Sequence, residues 1–321
     1  MVVEEIRQAI QKSERIGITA HIRPDGDAIG SVLGLGLAIK KSGKDVQMVL
    51  RDGVSNTFKH LPGGAEIRQA FSEDRDLLIA LDSSDLQRLG GVLGQKDADI
   101  CIDHHITNEN FAKINLIDPQ SVATSAILAE IIPQIGLTID QHSASALLSG
   151  ILSDSIGFRT SNTNAKALRI AADLMDLGAN ITELYNKALI SRPFEATKYW
   201  GYALQKMERR DGLVWTSLTL EDRKNAAYPG NDDADLTNLM SAIEELDVAV
   251  LFVEQKPDVV KVSWRARPGL DISGLALSLG GGGHPAAAGA ECTGSLQDVQ
   301  DKVIKITESY LKTEKDKTIG A

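Results

Sequence analysis

The first half of this chain alternates short apolar runs with segments of helical period. "RIGITAH", "DVQMVL", "DLLIALD" and "DADICIDHH" are the apolar runs. "AIGSVLGLGLAIKKSG", ending at Gly43, and then "SVATSAILAEIIPQIG" and "DQHSASALLSGILSDSIGF" have the helical pattern. Apolar runs this short, bounded by turn signals, suit parallel strands buried on both faces. Their alternation with helices predicts an α/β fold, a doubly wound, mostly parallel sheet. Ligands of such sheets bind beyond the carboxyl ends of the strands.

Helical patterns continue over 164–178, 181–190 and 193–208. "GLVWTSLTL", "VAVLFVE" and "VVKVSWRA" then read as strands. "DADLTNLMSAIEEL", "ISGLALSLG" and "SLQDVQDKVIKITESYLK" read as helices, and "TEKDKTIGA" as a frayed tail. The expected organisation is a larger domain over 1–188, a helical connector over 189–210 and a smaller α+β domain over 211–321. The 321 residues are enough for two cores.

The net charge of −10 disfavours non-specific binding to long nucleic acid, which wants a basic surface. It leaves room for a short substrate held by local cations. Two cysteines, Cys101 and Cys292, make no disulfide framework. The N-terminus has no uninterrupted apolar h-region, and no stretch approaches the roughly 20 apolar residues of a membrane span. A soluble cytoplasmic protein is expected.

Four segments end an apolar run on metal-competent side chains. "HIRPDGDAIGS" offers His21, Asp25 and Asp27; "ALDSSD" offers Asp82 and Asp85; "CIDHH" offers Asp103, His104 and His105; "GILSDSIGFRT" offers Asp154. Any one such Asp reads equally as a cap or turn residue, and Asp85 is expected to cap a helix start. "DGDAIGS" is not a calcium loop, because the twelfth position is Gly36 where a bidentate Glu is needed. Capping alone does not explain four such sites in one domain. Mixed Asp and His donors suit Mn²⁺, Fe²⁺, Co²⁺ or Zn²⁺. Five or six of them are enough for two ions, about 3.5–4 Å apart, sharing a carboxylate and acting on a phosphoryl group.

With these motifs in this order, the chain resembles the DHH phosphoesterases, named for the triplet Asp103-His104-His105. "GGGGHPAAAG", Gly280 to Gly289, is similar to the signature of their C-terminal DHH-associated domain. The two-domain length is most like the nanoRNase/pAp phosphatase group, which acts on very short RNA and on adenosine 3′,5′-bisphosphate. The resemblance implies in-line attack by a metal-activated water in a cleft between the domains. It implies two divalent ions, Mn²⁺ by analogy. His21, Asp25 and Asp82 would hold one. Asp27, Asp82, His104 and Asp154 would hold the other. Asp103 would accept a hydrogen bond from a ligating imidazole, and His105 would face the scissile phosphate. A cyclic di-AMP or linear dinucleotide phosphodiesterase would share the motifs. A DHH-type inorganic pyrophosphatase would lack the glycine–histidine signature, and a pure binding module would have lost ligands.

The glycine run makes a poor helix and a poor strand. Gly281, Gly282 and Gly283 would let the backbone approach a phosphate, with His284 reaching an oxygen. "VSWRARPG" places Arg265 and Arg267 on one face if both lie in a strand; Arg265 is the favoured phosphate ligand and Trp264 a core residue. Arg159 is a further candidate for substrate phosphate. Arg23 reads as solvent-exposed, and His60 and His142 as ordinary surface or cap residues. Partners are expected to be a short RNA, mononucleotide or dinucleotide, with a homodimer possible and no membrane.

Overall fold

The structure, a computed structural model, describes residues 2–319; the side chains of His284 and of residues 318–319 lie outside the description. The chain divides into two compact units, Met1–Ser191 and Arg192–Ala321.

The first unit holds a five-stranded parallel sheet in the order β2-β1-β3-β4-β5. Its strands are β1 (Arg15–Ala20), β2 (Asp45–Val49), β3 (Leu77–Leu81), β4 (Ile100–Asp103) and β5 (Ile114–Ile117). Helix α1 (Val2–Lys12) buries Ile6 and Ile10, four residues apart on one face. Helices α2 (Gly26–Lys41), α3 (Thr124–Gln134), α4 (Gln141–Asp154), α5 (Ala165–Asp176) and α6 (Ile181–Tyr185) follow, the last running into a π turn over Asn186–Ile190. Burial on both faces explains the unbroken apolar runs. In β3, Leu77, Ile79 and Leu81 join the helical core, while Leu78 and Ala80 face a smaller cluster with Leu89, Leu93 and Phe71. That second face is covered by loops and a 3₁₀ turn over Gln87–Leu89.

Helices α2 and α4 meet through glycine. A Cβ on Gly30 would lie 2.9 Å from Gly150 Cα, and one on Gly150 would lie 2.9 Å from Asp27 Oδ1 and 2.1 Å from Ser125 Oγ. Any larger residue there forces the packed elements apart.

The second unit begins with α7 (Phe194–Gln205). Its sheet has six strands, β6 (Glu208–Arg210), β7 (Leu213–Leu218), β8 (Val248–Lys256), β9 (Val259–Ala266), β10 (Gly282–His284) and β11 (Ala287–Thr293). Their order is β10-β11-β9-β8-β7-β6, antiparallel except for β7 with β8. Helices α8 (Leu220–Ala226), α9 (Leu236–Met240), α10 (Ser273–Ser278) and α11 (Leu296–Ile319) complete it. Strand β8 sends Val248, Val250 and Phe252 to one core and Ala249, Leu251 and Val253 to another. Trp264 is wholly buried and donates its indole N–H to Thr307 Oγ1 at 3.2 Å.

Several expectations are corrected. The helix expected over 235–246 ends at Met240. Beyond it the chain tightens: Ala242 and Ile243 make i to i−3 bonds and Glu245 is left-handed at φ 55°. Residues 313–319 of the expected frayed tail are instead the last turns of α11, with Lys315 paired to Asp247 at 3.4 Å; residues 320–321 lie outside the described residues. The helix expected to reach 208 stops at Gln205, and Glu208 already begins β6. The glycine run is a strand after all. Gly282–His284 pairs with Ala287–Gly289, and missing side chains make the pairing possible: a Cβ on Gly281 would meet Gly289 O at 2.1 Å. Gly283 combines φ +144° with only 2.5 Å to Ala287 O.

Candidate metal centre

The carboxyl ends of β1, β3 and β4 lie on one edge of the sheet because the strands are parallel. The loops leaving them carry His21, Asp82 and His104. The first turn of α2 brings Asp25 and Asp27 to the same edge, and the last residue of α4 brings Asp154.

The ligand atoms form three overlapping groups, each lying within 4.8 Å: His21, Asp25 and Asp82; Asp27, His104 and Asp154; and Asp82, His104 and His105. The two oxygens of Asp82 face opposite ways. Oδ2 lies 3.5 Å from His21 Nε2, and Oδ1 lies 3.7 Å from His104 Nε2. Asp82 itself is left-handed at φ 51°, a conformation that Asp tolerates better than most residues. His21 Nε2 also approaches Asp25 Oδ2 at 3.6 Å, and His104 Nε2 approaches Asp154 Oδ2 at 3.5 Å.

Both imidazoles spend Nδ1–H on a backbone carbonyl. His21 donates to Ile22 at 2.8 Å and His104 to Ser121 at 3.3 Å. Each therefore turns Nε2 toward carboxylates, the tautomer that ligates metals. Protons compete for the same positions. Burial opposes the charged ring of His21, but Asp25 and Asp82 outweigh it and raise its pKa to about 10. His104 is raised to about 9 against burial by Asp154, Asp82 and Asp27. Burial, with the charge of Asp82, lifts Asp27 to about 7. Burial and the charge of Asp27 push Asp154 well above the carboxylate range. Oxygen and imidazole donors, with a shared carboxylate between two groups, fit a pair of divalent ions.

Asp103 differs in detail from the expectation. The ring bonded to it is His105, whose Nδ1 donates to Asp103 Oδ1 at 2.6 Å, and not His104, whose Nδ1 is taken by Ser121. His104 gives Asp103 only its backbone N–H, at 2.8 Å. Burial opposes ionisation of Asp103, but bonds from His105 and Asn108 hold it below its usual range. His105 is itself buried.

Three orienting residues were not singled out in the sequence. Asn108 donates to Asp103 Oδ2 at 2.7 Å and to Ser83 O at 2.9 Å. Thr124 and Ser125, the first residues of α3, donate backbone N–H to the two oxygens of Asp27 at 2.7 and 2.9 Å. Thr124 Oγ1 donates to Asp82 Oδ1 at 3.1 Å. A Ser/Thr pair at a helix start was the available signal; it reads as a cap, and here the helix N-terminus holds a carboxylate instead.

The remaining candidates are placed as follows. Asp85 accepts Arg88 N–H at 2.9 Å, at the start of the 3₁₀ turn. Arg159 is exposed, after the left-handed run Ile156, Gly157 and Phe158. Arg265 lies on β9 and is half-buried, on the face opposite Trp264; its Nη1 donates to Trp264 O at 3.0 Å. Arg267 does not share that face in a strand. β9 ends at Ala266, and Arg267 pairs with Asp247 at 2.6 Å. Gly281 and Gly283 are accounted for by the hairpin, while a Cβ on Gly282 would meet nothing within 4 Å. The role expected of His284 falls on a side chain outside the described residues.

Residues 15–151 match the DHH family, N-terminal domain, and residues 227–313 match the DHHA1 domain. A bifunctional oligoribonuclease and PAP phosphatase NrnA from Thermus thermophilus is 33% identical over 97% of this chain and 94% of its own. The protein of the same name from Mycoplasma genitalium is 27% identical over 94% of this chain and 97% of its own. A crystal structure of an exopolyphosphatase-related protein from Bacteroides fragilis superposes with a TM-score of 0.90 at 24% identity. It covers 98% of this chain and 96% of that one, a likeness of fold.

Proposed function

The chain belongs to the DHH family of phosphoesterases, which makes it a hydrolase, and from that premise we propose that it degrades very short oligoribonucleotides and removes a phosphate from adenosine 3′,5′-bisphosphate. The observation that carries the reading is the Asp82-centred cluster, in which six ligand residues converge from four separate segments.

His21, Asp25 and Asp82 would hold one divalent ion, and Asp27, Asp82, His104 and Asp154 the other, Mn²⁺ in our reading. Bound there, the ions supply positive charge against the phosphoryl oxygens and lower the pKa of water to the neutral range. The chain's own contribution is orientation. Thr124 and Ser125 lock the Asp27 carboxylate. Asp103 fixes His105 with its proton on Nδ1, and His105 is assigned to the scissile phosphate. In the second unit, Arg265, Gly282 and His284 are assigned to substrate phosphate, and Arg159 is assigned the same task in the first. No described helix is long and apolar enough to cross a membrane.

A substrate panel tests the reading. After chelation and Mn²⁺ add-back, the protein is offered adenosine 3′,5′-bisphosphate, labelled RNA dinucleotide and pentanucleotide, linear and cyclic di-adenylate, and pyrophosphate. Turnover of the bisphosphate and the short RNAs is expected. Preference for cyclic di-adenylate would replace the reading with a phosphodiesterase of signalling dinucleotides. Silence on every substrate with metal bound would refute it.

A further inference from the structure

The two edges of the parallel sheet treat their cations differently. At the amino edge most cations are neutralised. Arg15 pairs with Asp76 at 2.7 Å, Arg75 with Asp45 at 2.6 Å, Lys113 with Asp99 at 2.7 Å and Lys96 with Asp74 at 2.9 Å. At the carboxyl edge, Arg23 follows β1, Arg51 follows β2 and Arg88 lies in the 3₁₀ turn after β3. None of these three makes an ion pair among the described residues. In a chain of net charge −10 this contrast is not a matter of surplus arginine.

The three loops interlock beside the metal centre. Ile22 N–H donates to Arg88 O at 2.7 Å, and Arg23 N–H donates to Asp52 Oδ2 at 2.5 Å. Gly90, at φ +64°, lets the loops close. A Cβ there would sit 2.3 Å from Ile22 Cγ2 and 3.3 Å from Arg51 Cγ. The nearby carboxylates, Asp52 and Asp85, are turned to the backbone amides of Arg23 and Arg88. Arg23 is also held left-handed, at φ 52°. That conformation is costly for a non-glycine residue and persists where the surroundings impose it, commonly at functional sites.

We propose that the loop cluster bearing Arg23, Arg51 and Arg88 binds the phosphodiester backbone of a short oligonucleotide, beyond the phosphate under attack. Guanidinium groups match phosphate oxygens bidentately and are always charged. Three of them, without carboxylate partners and starting two residues from the candidate ligand His21, give a phosphate track in an otherwise acidic protein. The track distinguishes substrates by length: adenosine 3′,5′-bisphosphate offers one phosphate besides the one removed, and each added nucleotide offers another. The inference rests on the oligonucleotide reading above, so its test separates binding from hydrolysis.

The full chain, loaded with Mn²⁺, is titrated against a fluorescein-labelled, phosphorothioate-linked RNA pentanucleotide that resists turnover. Arg51→Ala/Arg88→Ala is expected to weaken binding about tenfold, roughly threefold per exposed contact. The slope of log Kd against log salt should become shallower by about 1.4, the single-strand value for two phosphate contacts. Arg51→Lys/Arg88→Lys should recover most of both. The penalty in kcat/KM should grow from adenosine 3′,5′-bisphosphate to dinucleotide to pentanucleotide. Unchanged affinity and salt slope in a variant that melts like wild type would overturn the proposal. So would an equal penalty at every substrate length, or wild-type protein that does not bind the pentanucleotide. Wild type that binds through these arginines but hydrolyses no RNA would uphold the track and overturn the oligoribonuclease reading.

Discussion

Loading the metal centre should expel protons, and their number follows from the geometry. In the metal-free protein at pH 7.5, His21 with its pKa near 10 and His104 near 9 are both charged. Asp27, near 7, is partly protonated, and Asp154 is raised well above its usual value. Ligands bind metal only when deprotonated. Filling both positions therefore releases about two protons from the imidazoles, and a further fraction from the two carboxyl groups. By linkage, the product of the two binding constants should rise about a hundredfold or more per pH unit near neutrality. The sign is fixed: affinity rises with pH and levels off as pH passes through the imidazole pKa values. Calorimetric titration of chelated protein with Mn²⁺, in buffers of different ionisation enthalpy, reads the proton count directly. His21→Asn should lower it by about one. Release of less than half a proton, or affinity independent of pH between 6.5 and 8.5, would refute the assignment of these carboxylates and imidazoles to one shared charge cluster.

Three other outcomes follow from the same geometry. Asp82→Asn keeps a residue that tolerates the left-handed backbone and should fold, but should bind metal poorly and lose turnover; wild-type rates would sink the bridging role. Asn108→Ala removes the support of Asp103, and through it of His105, so kcat should fall about 10- to 100-fold with KM little changed, a split measured by steady-state kinetics. Gly150→Ala must displace Ser125 and Asp27, and should lower stability by about 1–3 kcal/mol in denaturant melts while weakening metal retention on dialysis.

What the sequence made legible was whatever burial wrote into it. Strands covered on both faces, such as Leu77–Leu81 and Val248–Val253, read as unbroken apolar runs. The metal-competent residues at their ends stood out by contrast. Strand β5 escaped because all of its residues are only half-buried at the sheet edge, with Asn115 among them. Strands β6 and β10 are too short to show a period. The glycine run hid its hairpin because its pairing depends on side chains that are absent. Asn108 and the start of α3 were invisible as site residues for a different reason. Asn in a loop and Ser or Thr at a helix start are common local choices, and only long-range contacts, such as that of Thr124 with Asp27, give them another task.

The glycine contact between α2 and α4 lies one turn beneath the metal centre. Gly30 is three residues from Asp27, and Gly150 is four from Asp154. The contact therefore acts as a gauge block, since the thickness of what sits between the two helices sets how far apart their carboxylates stand. Donor chemistry alone accepts several first-row ions. Ionic radius, by contrast, is felt as a distance, and this distance is governed at two positions that have no side chain. If the cluster holds metal, its preference would thus be exposed to drift at residues that never touch an ion. One methyl group added at Gly150 would press on Asp27 Oδ1 from behind, at 2.9 Å, and shift that donor without itself touching an ion.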